Sequence, residues 1–342
     1  MHHIFSLKRI LISLISTSLI LLLYYNWLFI TISKDSQGLV LAQDSYDDLT
    51  IRRYSSPNFA QVNSYWIETA EGIIVVDAQL FLSQANYLRN EIQNNTGKSV
   101  IAVLLTHPHA DHFAGLPILA EVAVNDLSIY ASQGTYDEMK NGNGGRPLTD
   151  LKEIYGNDFP NPEDIPLPNR IVENGDRAAE AKPHRFEIGG VTFEARVMEN
   201  VDSPSSTVWI LPEHNIALVG DFAPDRRTPS LRGGTSANYL ARLKEMRELL
   251  EEKEIVKAYP GHGEPGTPEN LIDQTMAYIT YVRTQVETSL VDDAELSDKE
   301  STEIEASIKD RFDLKYDTLL LPRITEINLR AIAEELKADK EL

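Results

Sequence analysis

An α/β fold is predicted by three features of the chain. Short apolar runs rich in Val, Ile and Leu recur between residues 59 and 260. Two of them, residues 73–76 and 100–105, flank a stretch with helical spacing, Leu82, Ala85, Leu88 and Ile92. Several runs end abruptly in polar, chemistry-bearing residues: Asp77, His107 and Asp221. A strand–helix–strand unit favours a parallel α/β arrangement, and open α/β sheets carry their sites beyond strand C-termini.

From the N-terminus, Lys8 and Arg9 precede a run without charge, Ile10 to Ile32, with Tyr24, Tyr25 and Trp27 towards its far end. That length spans a bilayer at about 1.5 Å per helical residue. The basic flank is expected to stay cytoplasmic, which exports the rest. Val40-Leu41-Ala42 offers small residues for cleavage before Gln43, so residues 1–42 read either as a signal peptide or as a retained anchor. The body is expected in the periplasm, outside the cell or tethered at the membrane.

Residues 59–67 and 73–76 read as strands joined by a turn at Glu71-Gly72, then 83–94 as a helix and 100–105 as a buried strand. Next comes His107-Pro108-His109-Ala110-Asp111-His112. Three imidazoles and a carboxylate within six residues make a metal-ligand inventory, because these groups suit zinc and related ions. The chain has eight histidines in 342 residues, so three in one loop is not background composition.

Residues 113–122 read as a helix and 127–130 as a strand. The Gly- and Pro-rich stretch 132–182 reads as short helices and loops over the active face. Strands follow at 186–188, 191–198, 207–211 and 216–219, the last ending at Gly220-Asp221. Helices are expected at 238–252, 271–287 and 323–337, with Pro260-Gly261-His262-Gly263 as a loop after a short strand. The acidic stretch 291–305 reads as a linker or helix turn. The division is therefore 1–42 targeting segment, 43–287 catalytic domain, and 288–342 acidic linker with a C-terminal helical extension.

Cysteine is absent, which excludes disulfides, thiolate ligands and a Cys nucleophile. A net charge of −20 argues against a long polyanion as partner, and no nucleic acid is expected. A small molecule remains the expected substrate.

The ordered set Asp77, His107-x-His109-x-Asp111-His112, Gly220-Asp221 and Pro260-Gly261-His262-Gly263 resembles the metallo-β-lactamase-fold hydrolase superfamily, over about residues 59–285. The resemblance implies a four-layered αβ/βα sandwich with the metals at the edge between two sheets. It implies two divalent ions, zinc by analogy. His107 and His109 would bind the first, Asp111, His112 and His262 the second, with Asp221 bridging. Asp77 would be the buried carboxylate that orders the ligand loop. Asp111 would also orient the nucleophile, a metal-bound hydroxide attacking an ester, lactone, amide or similar bond.

The chain departs from the family at one ligand. A further histidine is usual before the strand leading to the bridging Asp. Counting back ten residues from Pro212, the family's spacing, lands instead on Asp202. Asp202 is expected as the third ligand of the first ion, which would open that position to manganese or iron. The competing reading is a loop Asp capping Ser203-Pro204-Ser205. Two further functions stay open: an oxidoreductase resembling the superfamily's mononuclear-iron persulfide dioxygenases, and a non-catalytic envelope protein with a degenerate site.

Overall fold

In the computed structural model the described residues are 39–57, 61–173, 184–290, 295–315 and 324–341. The uncharged run Ile10–Ile32, expected to target a membrane, lies outside them, as do Phe59 and Ala60 of the first expected strand. Among the described residues no helix is long and apolar enough to cross a membrane.

Among the described residues twelve strands form two sheets. The first runs in sequence order: β1 (Leu39–Ser45), β2 (Thr50–Ser55), β3 (Asn63–Glu68), β4 (Ile73–Val76), β5 (Val100–Leu104), β6 (Ala123–Ser132) and β7 (Arg170–Val172). Its first four strands pair antiparallel, and β4 to β7 pair parallel. The second sheet comprises β8 (His184–Ile188), β9 (Val191–Glu199), β10 (Ser205–Leu211), β11 (Ile216–Gly220) and β12 (Lys257–Pro260), antiparallel except for the parallel β11–β12 pair.

The helices are α1 (Leu82–Asn95), α2 (Ala110–Phe113), α3 (Leu116–Ala120), α4 (Gln133–Lys140), α5 (Leu148–Tyr155), α6 (Ser236–Glu252), α7 (Pro268–Ser289), α8 (Asp298–Arg311) and α9 (Ile324–Glu341). Successive side chains on a strand point to opposite faces, so a strand covered on both sides must be apolar throughout. On β4, Ile74 and Val76 face the inter-sheet core, while Ile73 and Val75 face the helices around α1. On β10, Trp209 and Leu211 face inward, and Val208 and Ile210 face a cluster containing Tyr239 of α6, Ile279 of α7 and Ile332 of α9. Three apolar layers therefore separate helices, sheet, sheet and helices, the sandwich expected from the resemblance.

Four elements differ from the sequence reading. The helix expected over 113–122 is two short ones, α2 and α3. They break at Gly115, where a Cβ would collide with the Ala78 backbone and lie 2.6 Å from the Ala85 methyl. Close approach to α1 thus outweighs helix continuity. The acidic stretch after 291 contains α8, because Ser297 and Glu300 form a reciprocal capping box and Ile304 and Ile308 are buried. Leu39 to Ala42, expected to end the targeting segment, are the first residues of β1, and Leu39 and Val40 pair with Ser55 and Tyr54. The short strand expected over 127–130 extends over the ten residues of β6.

Candidate metal centre

The centre forms where loops leave the C-terminal ends of strands in both sheets. Asp77 follows β4 and His107 to His112 follow β5. Asp202 lies between β9 and β10, Asp221 follows β11, and His262 follows β12. Five separate segments thus converge through strand direction alone.

Asp77 adopts a left-handed backbone, φ 61°. Its Oδ1 accepts the Thr106 backbone N–H at 2.9 Å, and its Oδ2 accepts the Thr106 hydroxyl at 2.8 Å. The same Oδ2 lies 2.8 Å from His112 Nδ1. A carboxylate only accepts when ionised, so His112 donates through Nδ1 and turns Nε2 towards the centre. The Thr106 hydroxyl, donating to Asp77, can accept from His107 Nδ1 at 2.9 Å, which presents His107 Nε2 in the same way. Thr106 is a positioning group that sequence reasoning did not assign, although it stands next to the histidine run.

Three overlapping groups of donors result, each within 4.8 Å: His107, His109 and Asp202; His107, His112 and Asp221; and Asp111, His112 and His262. His107 Nε2 is 2.9 Å from His109 Nδ1 and 3.8 Å from Asp202 Oδ2. His262 Nε2 is 3.4 Å from Asp111 Oδ2 and 3.3 Å from Asp221 Oδ2. His112 Nε2 is 3.6 Å from both Asp111 Oδ2 and Asp221 Oδ1. Zinc–ligand bonds of about 2.0–2.1 Å place tetrahedral donors roughly 3.3–3.4 Å apart, so most of these spacings suit a shared cation.

A direct test of fit is whether buried polar atoms lack partners. His112 Nε2, His262 Nε2, Asp202 Oδ2 and Asp221 Oδ1 are buried with no hydrogen-bond partner. Such atoms cost free energy unless something pairs with them, and all four point into the centre. Asp202 accepts from the Ser206 hydroxyl through Oδ1 at 2.6 Å, which leaves Oδ2 facing His107. The donor set therefore fits divalent cations.

Burial and charge polarise the centre. Burial, reinforced by Asp221, pushes Asp202 up to about 7. Burial and the Arg232 charge push His109 down to about 4, and burial holds His107 well below the usual range. For His112 burial acts downward, but Asp111, Asp77 and Asp221 outweigh it and raise the imidazole to about 10. Burial opposes ionisation of Asp111 and Asp221, yet the nearby imidazoles hold both below the ordinary range.

His262 Nδ1 lies 3.1 Å from the Gln61 carbonyl, and the Arg227 guanidinium abuts the same nitrogen. With Nδ1–H donating to that carbonyl, Nε2 is open to the centre; with Nδ1 accepting from Arg227, Nε2 carries the proton. Gly261 is required beside it. A Cβ there would overlap Asp221 Oδ1 and stand 2.9 Å from His112 Cε1. The Pro-Gly-His-Gly loop is further held by Arg53, buried at 3% exposure, which donates to the Gly263 carbonyl at 2.7 Å and pairs with Glu264.

Beside the centre opens a cleft of about 220 Å³. His109, Asp111 and Asp221 of the centre line it, together with Arg146, Tyr155, Arg227, Arg232 and Ile324. All seven expected ligands and Asp77 are thus in one place. Sequence reasoning missed the cleft arginines, which lie in loops that carry no motif.

This constellation on a four-layered sandwich defines a class of metal-binding α/β proteins. The family profile described as the metallo-beta-lactamase superfamily matches residues 57–262, and the chain belongs to that superfamily. Divalent-metal binding follows from the fold and its His and Asp groups.

Among curated relatives, the exodeoxyribonuclease WalJ of Streptococcus pneumoniae is 37% identical over 79 residues, 23% of this chain and 28% of that protein. The exodeoxyribonuclease YycJ of Bacillus anthracis is 34% identical over 93 residues, 27% of this chain and 34% of that protein. The chain thus spans about a third or less of the length of these relatives. Among solved structures, a metallo-beta-lactamase from Pontibacter korlensis superposes with a TM-score of 0.53 at 16% identity, covering 71% of this chain and 99% of that one. The sec-alkylsulfatase Pisa1 from Pseudomonas sp. superposes with a TM-score of 0.56 at 16% identity, covering 83% and 48%. These likenesses establish the fold. The expectation that nucleic acid is not a partner gains no support from relatives bearing exodeoxyribonuclease names.

Proposed function

We propose that the chain is a metal-dependent hydrolase that holds two divalent ions, zinc by preference, and cleaves an ester or similar bond in a small substrate. The observation that carries this reading is the pair of donor groups, His107–His109–Asp202 and Asp111–His112–His262, with Asp221 between them. Two groups sharing a central carboxylate support two ions rather than the single iron of a dioxygenase. Four partnerless buried donors support an intact rather than a degenerate site.

Bound divalent cations would polarise the attacked oxygen and make water acidic enough to react near neutral pH. The remaining roles fall to the chain. Asp111 lines the cleft with its side chain 22% exposed, so it can reach both the ions and a water. Its carboxylate, kept ionised by the neighbouring imidazoles, orients the attacking water. Asp202 completes the first donor set, its second oxygen fixed by Ser206. An oxygen ligand makes that position harder than three imidazoles would, which admits manganese or iron beside zinc.

Nucleic acid remains a candidate substrate by analogy with the exodeoxyribonucleases, and an anionic ester by analogy with the alkylsulfatase. The net charge of −20 acts at long range over the whole surface, whereas substrate contact is decided within the cleft.

The reading is tested by elemental analysis of purified protein. Two metals per wild-type chain are expected, falling to about one in Asp202→Ala, with hydrolysis of chromogenic esters reduced at least a hundredfold. Asp202→His should restore the second ion. A wild type without metal, or an Asp202→Ala variant still holding two, would overturn it.

A further inference from the structure

Arg146 and Arg232 differ from most other arginines in the chain. The protein has 52 acidic against 32 basic residues, and guanidiniums are readily paired: Arg52 with Glu68, Arg89 with Glu121, and Arg247 with Asp273. Among the described residues Arg146 and Arg232 make no ion pair, and both line the cleft beside the metal centre.

Arg232 is anchored there. Its Nη1 donates to the Gly145 carbonyl at 3.1 Å, and its Nε lies 3.4 Å from the Ser230 hydroxyl. A Cβ on Gly145 would stand 3.4 Å from both Arg232 Nη2 and His109 Nε2, so guanidinium and imidazole face each other across the width of one side chain. Desolvation by the surrounding protein lowers the Arg232 guanidinium from its ordinary range, Arg146 acting the same way and Asp111 and Asp202 opposing. Two cations are thus gathered at one mouth of an acidic protein, next to residues suited to metal ions. Like charges repel, and a planar guanidinium fork matches the paired oxygens of an oxyanion.

The loop that carries Arg232 is also braced from outside the superfamily match. Asn328 of α9, fully buried, accepts the Leu231 N–H at 3.0 Å and donates to the Pro229 carbonyl at 2.8 Å. Both arginines are exposed at the cleft mouth, and the braced loop fixes where Arg232 leaves the backbone.

We propose that Arg146 and Arg232 form an oxyanion-binding subsite, and that the substrate is a small phosphate or sulfate ester whose anionic group lies between these arginines and the metal centre. The substrate class rests on the hydrolase reading; the anion binding does not. A cleft of about 220 Å³ is below the range of about 300–1,000 Å³ common for drug-sized ligands, which favours a compact ester. In hydrolysis a water oxygen bonds to phosphorus or sulfur as the bond to the ester oxygen breaks. One water proton ends on the departing alcohol and the other is released or stays on the acid product.

The test uses calorimetric titration of the full-length protein, both chelator-stripped and zinc-loaded, with inorganic phosphate, inorganic sulfate and benzoate. Stripped wild type should bind phosphate or sulfate at least tenfold more tightly than benzoate, and the preferred ion identifies the ester. Arg146→Ala/Arg232→Ala should weaken that binding at least tenfold, with unchanged circular dichroism and zinc content. Arg232→Lys, which keeps charge but not the fork, should fall between. Equal binding by wild type and double variant, equal binding of benzoate, or no oxyanion binding by the wild type would overturn the proposal. If the wild type holds no zinc yet loses phosphate binding in the double variant, the hydrolase reading fails and the subsite stands.

Discussion

At the scale of single residues, Asp77 shows how much organisation one carboxylate can impose. It accepts from the Thr106 backbone and hydroxyl and orients His112, all from a left-handed position that a non-glycine residue adopts at some cost. Asp77→Asn keeps the size but removes the charge that favours all three donors. We expect a loss of about 1–3 kcal/mol in denaturant unfolding. Zinc affinity in a chelator competition should fall roughly 10- to 100-fold. An unchanged affinity would show that the histidine loop is held without it. Most of this site was legible in the sequence because its donors are rare residues at strand ends. Even Asp202 could be found by counting, although only the structure shows its free oxygen facing His107. Arg146 and Arg232 were not legible. Arginine is common on surfaces, and nothing local in the sequence reveals that two distant loops meet at one cleft.

Among the elements, α9 links the C-terminal extension to the cleft. Its Ile324 lines the wall, Asn328 holds the loop before Arg232, and Glu335 accepts from the Ser236 backbone and hydroxyl at the start of α6 while pairing with Arg283. Asn328→Ala strands two buried backbone groups, so destabilisation of about 1–3 kcal/mol is expected. Its specific signature should be a KM raised severalfold with unchanged metal content, read by steady-state kinetics and elemental analysis. If KM is unchanged, the helix is only a structural cover. The helices α1, α6 and α7 were predictable from apolar spacing, whereas the Thr235 and Thr267 caps that start α6 and α7 two or three residues earlier are seen in the structure. The helix α8 was obscured by its acidity, since composition suggested a linker where a capping box and two buried isoleucines decide otherwise. The break between α2 and α3 depends on contact with α1, a tertiary fact that local propensity does not carry.

For the whole molecule, the centre joins the two sheets at their shared edge. Ligands from one side, His107 to His112, face Asp202, Asp221 and His262 from the other. A cation bound only by the folded state stabilises it by mass action, about 4 kcal/mol at a thousandfold excess over Kd. Chelation should therefore lower the melting temperature of the entire domain in one transition, with zinc restoring it. A melt indifferent to chelator would mean that the sheets do not rely on the ions.

The position of α9 also matters for the order of synthesis. The donor set is complete once His262 has been made, whereas the helix that braces the cleft wall comes later in the chain. Domains fold as units, and α9 packs into one core with β10, α6 and α7, so a nascent chain possesses every ligand before it possesses the helix that completes their domain. Synthesis thus sets an order of supply, ligands first and the brace of the cleft wall afterwards.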